Sequence, residues 1–359
     1  MRIKIKNSVW RWGLLVVLVV IIRLISSNKK WVEDNYSSGI YPVTGVFFRT
    51  VFGWLPFSLG DLIYTAVVLW VIYDIVWLLV KVYRKEYSTQ HAKSGLLKYL
   101  GLMLLVYIMF NLFWGLNYNR RGIAHQLALN VEEIKLEELR WLADTLLKKT
   151  NALQQGNTRL LNAPDKMIFK KTVAVYGNLK QDFLFLQYSV PSIKPSMFGV
   201  LGNYMGYMGY YNPFTGEAQV NTTVPRWTLP FVACHEVAHQ LGYAKENEAN
   251  FVGYLAAKQS GDTAFLYSVY FDLFLYANTE LFIKDSTTAR ANLKRLTDGV
   301  KKDLKELRDF QRRYENPLDK LVDVFYNNFL KLNEQPAGNR TYNKVILWLM
   351  AYYRKYGEL

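Results

Sequence analysis

The stretch FVACHEVAHQLGYAKENEANF, Phe231 to Phe251, decides how the rest of the chain is read. On an α-helix, residues four apart share a face, so His235 and His239 turn two imidazoles toward one point. Glu236 between them is placed to reach water held by a metal ion bound there. Zinc lowers the pKa of such water toward about 7, and a neighbouring carboxylate can take its proton. With four histidines in the whole chain, a chance His-Glu-x-x-His occurs roughly once in five hundred such sequences, so the spacing reads as chemistry. Pro230 suits the first turn of a helix through Phe231 to Leu241, and Gly242 suits its end. Cys234 projects about 100° away from His235 and belongs to the core.

A catalytic zinc takes three protein ligands and keeps a fourth position open. Neither of the other histidines serves: His91 falls in a loop between apolar runs, and His125 just after the last of them. Carboxylates at Glu246 and Glu248 follow at the start of the next helix, so the expected set is two His and one Glu. Spacing leaves the two open, because the turn after Gly242 can present either.

Upstream, YYNPFTGEAQVN (Tyr210–Asn221) reads as a turn at Asn212–Gly216 followed by a short strand, Glu217–Val220. As a sheet edge beside the site, that strand could pair with a substrate backbone. Helical periodicity marks 132–150 and 165–182, and downstream of the site 262–284, 286–314, 317–332 and 340–355, broken at Gly261, Pro317 and Pro336–Gly338. The part after residue 116 is mainly α with a small sheet. Donors for a developing oxyanion are numerous, among them Tyr210, Tyr211, Tyr243, Tyr254 and Tyr342, and none is singled out.

Three apolar runs precede this domain, at about 10–26, 62–80 and 96–116, each near the ~20 residues that span a bilayer. Arg2, Lys4, Lys6 and Arg11 lead the first, which has no small-residue cleavage site after it and reads as an uncleaved anchor. The second loop carries Lys81, Arg84, Lys85, Lys93 and Lys98 against Glu86. By the positive-inside rule both regions prefer the cytoplasm, which puts everything after about residue 117 on the extracytoplasmic side of the cytoplasmic membrane. Asp74 within the second span is expected to face the bundle, bonded to a polar neighbour such as Asn111.

The formal charge of +15 would suit nucleic acid, but no stretch interleaves basic and aromatic residues on a binding scaffold, so no nucleic-acid partner is expected. Many cations flank apolar runs, where anionic headgroups attract them. The single cysteine excludes an intramolecular disulfide.

Glu246-Asn-Glu-Ala-Asn250 is similar to the E-x-x-A-[DN] signature of several zincin families, in which the first Glu is the ligand. That resemblance implies a gluzincin-like set of His235, His239 and Glu246, a structural Glu248, and Asn250 as a partner behind the ligands. Together with YYNPFTGEAQVN, WGLNYNRRG (Trp114–Gly122) and NNFLKLNEQPAGNRTYNKV (Asn327–Val345), the pattern resembles an uncharacterised family of bacterial membrane zincin-like proteins over nearly the whole chain. Simple metzincin membership does not fit, since Lys245 stands where that third ligand would fall.

The expectation is therefore a membrane domain of three transmembrane helices (1–116) followed by an extracytoplasmic, mainly α, α+β zincin-like metallopeptidase domain (117–359). Zn2+ would be its cofactor, proteins or peptides its substrates, the lipid bilayer its partner and Glu236 its general base. The alternative is a non-catalytic zinc-binding sensor or scaffold, which would have no need of Glu236. Three spans with one internal carboxylate argue against a transporter.

Overall fold

The computed structural model describes residues 2–154, 162–332 and 344–359. Its first third contains α1 (Arg2–Ser27), α2 (Tyr41–Phe52), α3 (Leu59–Tyr83) and α4 (Thr89–Phe113). Of these α1, α3 and α4 are long and apolar enough to cross a membrane, with mean hydropathies of 1.8, 2.2 and 1.9 over their apolar windows. Most of their Leu, Ile and Val side chains point outward, an arrangement that suits a hydrocarbon solvent and not water.

The third apolar helix stops at Phe113, short of the expected Leu116. Trp114 leaves helical geometry at φ −159°, and Gly115–Asn119 form a tight 3-10 turn. At its other end α4 begins at Thr89, so Lys93 and Lys98, read as loop cations, are helical. Lys98 Nζ and Tyr99 OH donate to Asp74 at 2.9 and 2.6 Å. Asn111, expected as Asp74's partner, instead donates to the Tyr107 carbonyl. A cation one span away satisfies a carboxylate better than an amide can.

The connection between the first two apolar helices is itself helical. A short turn at Lys29–Trp31 and a wide π-helical stretch at Val32–Ile40 run on into α2. Tyr41, Gly45 and Arg49, four residues apart, form its buried face.

The remainder comprises α5 (Leu136–Leu153), α6 (Asp165–Leu179), β1 (Ile193–Pro195), β2 (Gly209–Asn212), β3 (Glu217–Val220), α7 (Leu229–Gln240), α8 (Glu246–Lys258), α9 (Thr263–Lys284), α10 (Ser286–Lys294), α11 (Asp298–Tyr314), α12 (Asp319–Leu332) and α13 (Val345–Tyr356). The segment expected as one helix over 286–314 is two. Asn151 reaches into the break from α5, donating to the Arg295 carbonyl at 3.0 Å and accepting from Thr297 N at 3.0 Å. Those side-chain bonds replace the helical ones lost there.

The sheet runs β1-β3-β2, with β3 parallel to β1 and antiparallel to β2. Glu217–Val220 is thus the central, fully buried strand and not an edge; the outer strand of the hairpin is β2. α9 crosses both α5 and the pair α7 and α8, closing a core that includes Leu139, Leu142, Ala233, Phe251, Phe271 and Phe274. Each such Leu or Phe contributes about 1.5–3 kcal/mol by leaving water.

The apolar helices and this core are joined by hydrogen bonds across the line drawn at residue 116. Glu217 of β3 accepts from Leu59 N at 3.1 Å and Gly60 N at 2.7 Å. A buried carboxylate thereby caps the amino terminus of α3, where unpaired N–H groups favour negative charge.

Candidate metal centre

Pro230 opens α7 in its first turn, and Gly242, at φ +85°, ends the helix where a side chain would meet the Tyr41 ring. The last carbonyls of α7 have no helical partners and are taken up from outside. Trp114 Nε1 donates to the His239 carbonyl at 3.1 Å, Tyr41 OH to that of Gln240 at 2.8 Å, and Arg120 Nη1 to that of Gly242 at 3.1 Å. Trp114 stands at the end of α4, Arg120 just past the 3-10 turn that follows it, and Tyr41 in α2, so the motif helix is fixed by the chain's first third.

The turn after Gly242 brings Glu246 of α8 back to α7. His235, His239 and Glu246 then offer ligand atoms all within 4.8 Å of one another, a group able to hold a metal ion. Glu246 Oε2 lies 3.3 Å from His235 Nε2 and 3.7 Å from His239 Nε2. The other ring nitrogens are bonded behind: His235 Nδ1–H donates to Asn250 Oδ1 and His239 Nδ1–H to the Tyr243 carbonyl, both at 2.7 Å. These bonds aim each Nε2 into the cluster. Asn250 stands one turn beyond Glu246, behind the His235 ring.

Glu248 is turned away. Its carboxylate packs against Gly122, with Lys245 Nζ at 4.0 Å and Arg120 nearby. The structure brings together His235, His239 and Glu246, while His91 and His125 stand elsewhere on exposed segments. Cys234 is fully buried, as its position on the helix implied.

Glu236 is buried beside the cluster, and its Oε2 has no hydrogen-bond partner. The first residue of β2 closes over it: a Cβ at Gly209 would lie 2.5 Å from Glu236 Oε1, so only glycine permits this approach. Burial pushes Glu236 up to about 7, against the pull of the two histidines. Burial alone would also raise Glu246, but hydrogen bonds from His235 and His239 hold it well below the usual carboxylate range. Burial disfavours a charged His235, yet the Glu246 carboxylate prevails and lifts it to about 9. The pocket therefore calls for positive charge, which protons or a cation can supply, and a cation would displace those protons.

The four described tyrosines considered as oxyanion donors are engaged or buried away. Tyr210 bonds Asp61, Tyr211 meets Tyr41, Tyr243 donates to Gln126, and Tyr254 lies in the core. Tyr342 lies outside the described residues. Periodicity gave no sign of the tyrosines whose charge couples to Glu246, Tyr118 and Tyr276. Tyr276 of α9 sits between Asn250 and Asp272, a buried carboxyl that desolvation raises to about 7 and His235 pulls back. A carboxyl on the inner face of an apolar helix was the available signal for Asp272.

The model of one protein family, described as "Protein of unknown function (DUF3810)", matches residues 36–350. The chain belongs to that family. The match begins within the helix that leads into α2 and ends in α13, so the DUF3810 unit includes the connection that holds the end of α7 as well as the cluster itself. No curated protein and no solved structure matches.

Proposed function

We propose that this chain is a zinc-dependent peptidase with a zincin-like catalytic domain, anchored in the cytoplasmic membrane by α1, α3 and α4 and facing the extracytoplasmic side. The observation that carries the reading is the convergence of two imidazole nitrogens and one carboxylate oxygen beside the unpartnered Glu236 Oε2. Ligands of a tetrahedral zinc with bonds of about 2.0–2.1 Å stand roughly 3.3 Å apart. The 3.3 and 3.7 Å separations here fit that spacing, and three ligands leave one position open. Zinc held there would supply a Lewis acid for the peptide carbonyl and make water acidic near neutral pH.

The chain's own residues do the rest. Asn250 and the Tyr243 carbonyl fix the tautomers of His235 and His239, leaving each Nε2 lone pair for the ion. Glu236 Oε2 takes a proton from the attacking water and returns it to the departing amine. Gly209 leaves room for that carboxylate, and β2 offers an outer strand along which an extended peptide can align. Basic residues in the first turns of α1 and around the α3–α4 connection support the orientation.

The test is metal analysis and peptide-library cleavage with full-length protein beside Glu236→Gln. The expected outcome is zinc in both proteins and cleavage reduced about 10²–10⁴-fold by the substitution. Zinc in both with cleavage by neither would overturn the peptidase reading and favour a metal-binding sensor.

A further inference from the structure

Among the exposed apolar side chains outside the three long apolar helices, two groups adjoin α3, one through the chain and one through hydrogen bonds. On α2 and its flanks they are Ile40, Val43, Phe47, Val51 and Trp54, spaced three or four residues apart on the face opposite Tyr41, Gly45 and Arg49. The second group is Met197, Val200, Leu201, Tyr204 and Met205, on and around a short helical turn at Gly199–Tyr204. Val200 and Leu201 are 56 and 52% exposed.

The second group is tied to the first turn of α3. Asp61 Oδ2 accepts from Met197 N at 2.6 Å and from Ser196 Oγ at 3.4 Å. The Tyr210 hydroxyl also donates to Asp61, and its ring lies 6.0 Å from that of Tyr64, one turn further along α3. These contacts set Met197–Met205 level with the residues where α3 becomes continuously apolar. Past this group the chain forms one wall of a cleft of about 390 Å³, lined by Asn203, Tyr207 and Met208 and, from α11, by Arg308, Arg312 and Tyr314. The wall ends at Met208, next to the Gly209 that covers Glu236.

From this continuity we infer that Met197–Met205 is an apolar lip immersed in the outer leaflet beside α3, so that the cleft opens at the bilayer surface. The occupant of the lip is lipid. Resting on the peptidase reading, the corollary is a substrate class: peptide segments adjoining a membrane anchor, delivered along the surface and into the cleft from its lipid side. Partitioning of five half-exposed apolar side chains stabilises the lip in the headgroup and acyl boundary, as for an interfacial helix.

Cys234 is fully buried, so a single introduced cysteine can be labelled selectively. Full-length Leu201→Cys and, separately, Val200→Cys carry an environment-sensitive fluorophore in phosphatidylcholine vesicles, with Lys301→Cys at the far end of α11 as reference. Acyl-brominated lipid is expected to quench both lip labels by about half or more and leave the reference near its starting intensity. Lip labels that are no more quenched than the reference overturn the proposal, and this readout needs neither zinc nor turnover. For the corollary, one peptide is compared free and lipid-anchored in the same vesicles, with about tenfold faster cleavage expected for the anchored form. Equal rates overturn the substrate class, and cleavage of neither removes it with the peptidase reading, while quenching still decides the lip.

Discussion

Two groups of buried carboxylates flank the motif helix, and they are neutralised in opposite ways. On the side facing the apolar helices Glu217 and Glu33 each have a fixed cation and a set of N–H donors. Glu217 accepts from Lys194 Nζ at 2.5 Å as well as from the first N–H groups of α3, and Glu33 pairs with Arg120 at 2.7 Å. On the other side Glu246 and Glu236 face the imidazoles of His235 and His239. Matched charge makes a rigid joint, while unmatched charge makes a place for an ion. Substitutions on the first side should therefore cost stability, and on the second they should cost metal affinity.

The largest effect on folding is expected at Glu217. Truncating it leaves the Lys194 ammonium, with a side chain only 5% exposed, without its carboxylate and removes the cap of α3. Leaving one partner of a buried pair behind costs about 3–5 kcal/mol. Glu217→Ala should lower the denaturation midpoint of the full-length protein by the corresponding amount, measured in detergent by tryptophan fluorescence. A loss below about 1 kcal/mol would mean that the joint is held elsewhere and would weaken the comparison.

On the unmatched side the expected cost is in metal affinity and not in folding. Asn250→Ala deletes the acceptor of His235 Nδ1–H and should weaken zinc binding about 10- to 100-fold, with the apo-protein's stability little changed. Competition against a chelator of known affinity reads the first, and a thermal melt of the stripped protein reads the second. A large apo-state loss with unchanged affinity would show Asn250 to be a packing residue.

Much of the unmatched side was legible in the sequence, because it depends on local spacing. His235 and His239 fall four apart and Gly242 ends their helix, while Glu246 was preferred over Glu248 only through the resemblance to the E-x-x-A-[DN] signature. The long apolar helices were legible from length and composition. The matched side was not, since its pairs join residues far apart in the chain: Glu33 to Arg120, Asp61 to Tyr210, Glu217 to the start of α3. Glu217–Val220 looked like an edge because its alternation of polar and apolar residues suits a half-exposed strand. In the fold Glu217 and Gln219 find their partners inside, which makes the strand central. A signal was present in the connection before α3, where Ile40, Val43, Phe47 and Val51 repeat at helical spacing opposite Tyr41, Gly45 and Arg49.

A further contrast distinguishes the two sides by pH. Burial alone would raise Glu33, but the hydrogen bonds and charge of Arg120, with N–H donors at Gly122 and Arg121, hold its carboxyl below the ordinary 4.5. A carboxyl depressed in the folded state contributes stability that is complete above its unfolded value and is lost as pH falls through the lower folded value. Glu33→Gln removes this titration and, at neutral pH, should cost about 1.5–3 kcal/mol, the range for a hydrogen bond to a charged group. The loss should stay below that of Glu217→Ala, because Arg120 keeps the Gly242 carbonyl and the Tyr243 ring 4.5 Å away. Denaturation of both proteins at a series of pH values should show their stability difference constant at neutral pH and shrinking below about pH 4.5, where wild-type Glu33 takes up its proton. A difference that holds constant down through that range would mean that Arg120 draws its stabilisation from Gly242 and Tyr243 instead, and the matched side would then rest on Glu217 alone.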